Sequence, residues 1–130
     1  MLAFQLKSHQ LTEPIPQFYI QCKGLHSGRP LKKAIPNCFS VYTNVPMMFD
    51  LVYVLYIGGL FKPYLKGSVI PFITLGDISG IIRENAHIIT NEKLFNQINA
   101  IDSLLEVSRQ KLKLIEQMQK AYCLEALKVK

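Results

Sequence analysis

EKLFNQINAIDSLLEVSRQKLKLIEQMQKAYCLEAL, residues 92–127, is the stretch on which the fold turns. Leu94, Ile98, Ile101, Leu105, Leu112, Ile115, Tyr122 and Ala126 follow a heptad beat along one helix face. Ser108 and Gln119 are the two polar breaks in that beat. No proline or glycine occurs after Gly80, so nothing in the backbone interrupts a helix. Thr90 or Asn91 can cap its start, and Glu92 stands in the first turn, where the helix dipole favours an acid. At 1.5 Å per residue the helix reaches about 50 Å, more than the width of a small domain. Part of it must then meet water or another helix, and a sustained heptad seam favours a helix. Leu104, Leu114 and Met118 widen the apolar face, so one end is also expected to pack on the globular part. The spacing predicts an assembly element, through a homodimer or a helix-bearing protein partner.

Upstream of the helix the pattern changes. Residues 3–8 suit a short strand, and the Glu13-Pro14-Ile15-Pro16 stretch breaks regular structure by fixing φ and removing donors. Residues 17–22 (QFYIQC) and 38–43 (CFSVYT) are rich in aromatic and β-branched residues and read as strands. Residues 23–37 between them, with Gly24, Gly28, Pro30 and Pro36, read as a loop. Asn44 can cap a helix opening at Val45-Pro46, apolar almost all round and therefore buried, that ends at Gly58-Gly59. Residues 61–67 form a connecting turn. Residues 68–74 (SVIPFIT) suit an edge strand, because Pro71 cannot donate to a ladder on both sides. Thr74 and Asp77 have capping-box spacing and open a short helix through Ile78, Ile81 and Ile82. Residues 85–89 lead out of it. The expected architecture is α+β: a small mixed or antiparallel sheet packed on a buried helix, with a long C-terminal amphipathic helix. Residues 1–90 form the globular part and residues 91–130 the helix, as one domain unit.

Composition bounds what such a chain does. Its 130 residues can bury a core without disulfides or metals, and 49% hydrophobic against 18% charged residues excludes a disordered chain. That balance is slightly apolar, so a partner is expected to cover part of the surface. Cys22, Cys38 and Cys123 are odd in number and widely spaced, which suggests thiols at rest in a reducing cytoplasm rather than a disulfide or zinc framework. The start of the chain lacks a charged region followed by an apolar run. The only membrane candidate, residues 45–61, has a charge-free part far below the ~20 residues a span needs, so no membrane partner is expected.

The formal net charge of +6 is unevenly placed. Residues 1–76 hold seven Lys/Arg against Glu13 and Asp50, whereas residues 77–130 are nearly balanced. Within the front part, Lys23, Arg29, Lys32 and Lys33 share an acid-free loop with Gly24 and Gly28. Glycines there could admit a phosphate to the backbone, though no Walker ending follows. Lys62 and Lys66 flank Tyr64 in a second basic group. These six cations are the candidate anion or DNA contacts. A solvated loop explains the first group equally, and a turn with Tyr64 packed inward explains the second. His9, His26 and His87 lack metal-ligand spacing, and Asp50 and Asp77 belong to no paired-carboxylate or nucleophile motif. Neither a catalytic set, a metal nor a cofactor is expected, and the chain is read as a non-enzyme.

Two resemblances accompany these readings. Lys66 to Ile78 (KGSVIPFITLGDI), followed by a long helix through Lys120-Ala121-Tyr122, resembles the end of a target-recognition domain of a type I restriction specificity subunit. That resemblance covers the last half of the chain and implies DNA association and a coiled coil. The string Lys23-Gly24-Leu25, Ser27-Gly28-Arg29-Pro30-Leu31, Pro36-Asn37-Cys38-Phe39, Pro63-Tyr64-Leu65 and Gly67 to Ile73 resembles a family of small bacterial proteins of unknown function. It spans most of the chain, is the more specific of the two and implies no activity.

Overall fold

The computed structural model describes residues 3–10 and 14–128. Glu13, at the head of the proline-broken stretch, lies outside the described residues. The chain divides into two compact units, Met1–Thr90 and Asn91–Lys130.

The first unit is built on an antiparallel sheet. Strands β1 (Phe4–Ser8), β2 (Phe18–Gln21), β3 (Pro30–Leu31) and β4 (Cys38–Thr43) lie in the order β1-β4-β2-β3. The register explains the core. Leu6 and Phe18 both face Val41 across the sheet, and Ser8 and Ile20 both face Phe39. Directly opposed residues share a face, so Leu6, Phe18, Ile20, Phe39 and Val41 form one apolar surface, and all five are buried. Cys38 and Ser40 alternate to the opposite face and are also buried. There the Ser40 hydroxyl lies 3.0 Å from Nδ1 of His9, whose ring meets Tyr19 edge-on at 5.1 Å. A buried hydroxyl with such a partner avoids the cost of a lost hydrogen bond. β4 has both edges paired, by β1 and β2, and Cys38 to Val41 are buried on both of its faces.

Helix α1 (Met48–Ile57) packs beside the sheet, with Met48, Leu51, Val52 and Leu55 fully buried. Phe49 meets Phe18 edge-on at 5.2 Å. Its start differs from expectation. Thr43 Oγ1 accepts the Val45 amide at 3.1 Å, so the chain turns through Pro46-Met47 before the helix begins, and Asn44 is not its cap. Burial is likewise one-sided, with Ile57 64% exposed. Its end is as expected: Gly59 takes φ +78° and Leu60 donates back to the Leu55 carbonyl, a Schellman closure.

The expected strand over 68–74 does not form. Phe72 makes only isolated bridges, to Lys23 and to Lys66. Pro71 has no amide to donate, and its carbonyl accepts from Gly24. Lys66 and Phe72 exchange both backbone hydrogen bonds around the turn at Gly67 (φ +97°), where a Cβ would come within 2.6 Å of the Ile70 carbonyl. The turn closes too tightly for a ladder to propagate. Ile73 then returns to the core, 2% exposed. Helix α2 (Leu75–Glu84) begins as expected, with Thr74 Oγ1 accepting the Asp77 amide at 3.2 Å, and it buries Ile78, Ile81 and Ile82. A 3-10 turn, Ala86–Thr90, follows.

The second unit is helix α3 (Glu92–Lys128), 37 residues long. Asn91 caps it by accepting the Leu94 amide at 3.1 Å. Among the described residues, no helix is long and apolar enough to cross a membrane.

Candidate functional site

The six candidate cations do not converge on one point. Arg29 is half-buried and donates from Nη2 to Gln21 Oε1 at 2.9 Å, so part of its guanidinium is spent inside the unit. Lys32 holds its ammonium 5.6 Å from the Phe49 ring, at the mouth of a cavity of about 410 Å³ lined also by Gln17, Thr43 and Asn44. Lys33 is exposed. Lys66 Nζ lies 3.3 Å from Asp77 Oδ2, an ion pair that lowers its value to an external anion. Lys23 and Lys62 are exposed. Between Glu13 and Asp77 the sequence holds Asp50 as its only acid.

The glycine loop serves the chain itself rather than an anion. Gly24 (φ +95°) and Gly28 (φ +97°) adopt the left-handed region that glycine tolerates. The amides of Gly24, Ser27, Gly28 and Arg29 donate to Pro71, Gly24, Gln21 and His26 carbonyls respectively, and the buried Ser27 hydroxyl donates to the Gly24 carbonyl. A phosphate cradle needs such amides free. Gly28 is further constrained by the buried Phe61 ring, which a Cβ would approach to 2.4 Å. Tyr64, in the 3-10 turn Lys62–Tyr64, is 42% exposed rather than packed inward.

Sequence spacing gives no sign of one pairing that the fold creates. His26 Nδ1 lies 3.0 Å from the Tyr56 hydroxyl, where a cavity of about 330 Å³ is lined by Leu25, Ser27, Ile57, Phe61 and Lys62 as well. These residues come from separate loops and a helix end, so no local motif announces them. The Cys22 thiol is pushed above its ordinary value, first by burial and then by the nearby Cys38, with Lys23 partly offsetting this. That keeps it protonated near neutral pH and a poor nucleophile. No group of three or more potential metal ligands occurs among the described residues.

On α3 the heptad positions fall into two zones. Leu94 and Ile98 are half-buried, and Phe95 between them is fully buried. From Ile101 onward the seam is open: Ile101, Leu105, Leu112, Ile115 and Tyr122 are all exposed, as are Leu104, Leu114 and Met118 beside it. Asp102, Arg109, Lys111 and Glu116 flank this open part with charges of both signs.

No curated protein and no solved structure matches the chain. A family model does, over residues 6–125, and that bears out the resemblance carried by the KGL, SGRPL, PNCF and PYL strings. The chain belongs to that family, described as Family of unknown function (DUF6943).

Proposed function

We propose that this protein is an assembly module, without catalysis of its own, that works in the cytoplasm and dimerises through α3. The observation behind this reading is the open seam from Ile101 to Tyr122, whose residues stay exposed along a continuous helix. Lone exposed apolar residues need no explanation, but a heptad row does, because water rewards its burial against a matching row. A second copy is the favoured occupant because the flanking charges are self-complementary. Two α3 helices can set Lys111 of one against Glu116 of the other, and Ser108 and Gln119 in the seam select register at some cost in stability. Light scattering of the purified chain should give twice its 14.8 kDa mass at micromolar concentration. Leu105→Glu combined with Ile115→Glu should return it to the monomer mass. A parent protein that stays monomeric at high concentration removes the reading.

A second reading, DNA association, is favoured by the charge excess of residues 1–76 and by the exposure of Lys23, Lys32, Lys33 and Lys62. Contacts to phosphates release counterions, so affinity for duplex DNA should fall steeply between roughly 50 mM and 200 mM salt. Retention that is independent of salt, or absent at low salt, rules this out.

A further inference from the structure

Three segments distant in sequence meet at one end of the first unit, and each ends in an exposed aliphatic side chain. Leu25, Ile57 and Lys62 line one cavity. The Gly24 amide donates to the Pro71 carbonyl at 2.7 Å, and Phe72 bridges both Lys23 and Lys66. The 67–72 turn is thereby fastened to the 23–28 loop, which borders the end of α1. At the tips, Val69 is 89% exposed, Leu25 79%, Ile57 64% and Ile70 63%. Val69 and Ile70 project from the 67–72 turn, while Leu25 and Ile57 stand at the rim of the cavity they line. Lys62 lines the same cavity as Leu25 and Ile57, Lys23 is exposed at the head of the 23–28 loop, and Tyr64, 42% exposed, shares the 3-10 turn of Lys62. Lys66 is engaged by Asp77.

We infer that this end of the molecule docks on an anionic lipid surface. Aliphatic tips gain by entering the boundary between headgroups and acyl chains, while lysines at their base meet the negative headgroups. Tyrosine is suited to the same interface, with an apolar ring and a polar tip. Nucleic acid offers the lysines phosphates, but Val69, Ile70 and Leu25 would be buried there only by wedging between stacked bases, at the cost of unstacking them. This mode of attachment needs no spanning helix. It also uses residues separate from the α3 seam, so it stands or falls independently of dimerisation.

The test is co-sedimentation of the full chain with vesicles of phosphatidylcholine alone and of phosphatidylcholine mixed with phosphatidylserine. The chain should sediment with the anionic vesicles and only weakly with the neutral ones. Val69→Ser combined with Ile70→Ser, at largely exposed tips, should leave the thermal unfolding curve nearly unchanged and lower partitioning about tenfold or more. Lys23→Gln and Lys62→Gln should each lower it about fivefold, the weight of one basic residue near an anionic surface. Equal sedimentation of the apolar-tip variant and the parent overturns the inference. So does failure of the parent to sediment with anionic vesicles.

Discussion

Gly28 shows how one residue carries two incompatible readings until its neighbours are known. In the string Gly24-Leu25-His26-Ser27-Gly28-Arg29, glycines beside bases suit a phosphate loop. In the fold, the same glycine holds φ +97° with the Phe61 ring filling the place a Cβ would take, and its amide donates to the Gln21 carbonyl. Phe61 lies far along the chain, so the constraint has no local signature. Gly28→Ala should therefore cost about 2–4 kcal/mol, combining left-handed backbone strain with overpacking against a buried ring. Urea denaturation followed by circular dichroism measures it. A loss below about 0.5 kcal/mol, the range of ordinary surface substitutions, contradicts this account of the loop. Arg29 and Lys66 carry a similar lesson. Both read as free cations in sequence, and Gln21 and Asp77 engage them in the structure.

Elements were legible in proportion to how local their determinants are. The cap at Thr74 depends on residues three apart, and the hydrogen bond from the Asp77 amide is where the spacing puts it. Thr74→Ala should cost about 1 kcal/mol, readable as a lower urea midpoint with an unchanged slope. An unchanged midpoint contradicts a stabilising cap. The Gly58-Gly59 stop and the start of α3 at Asn91 rest on equally local signals, and they fall where the spacing places them. The start of α1 and residues 68–74 do not. Thr43 takes the amide that would have let a helix open at Val45, and the Gly67 turn ties Phe72 to Lys66 and Lys23 in place of a strand. Propensity suited both expectations, and tertiary hydrogen bonding overrode it.

For the whole molecule, dimerisation through α3 has a thermodynamic signature beyond mass. If the seam pairs, the midpoint of thermal unfolding should rise with protein concentration, since association stabilises the folded state by mass action. The Leu105→Glu/Ile115→Glu variant should show no such dependence. A concentration-independent midpoint in the parent opposes the dimer. By itself, the sequence determined the α+β class, the two strands around residues 18–21 and 38–43, the α2 cap and the length and periodicity of α3. Each follows from side-chain period and capping chemistry within a few neighbouring residues. Only the tertiary structure decided how the cations are shared out. It set Lys32 over Phe49, paired Lys66 with Asp77, brought Lys62 beside Leu25 and Ile57, and fastened the 67–72 turn to Lys23 and Gly24. The reason is physical. A local pattern states which face of an element is apolar, whereas the meeting of distant loops depends on hydrogen bonds such as Gly24 to Pro71, whose partners no sequence spacing announces.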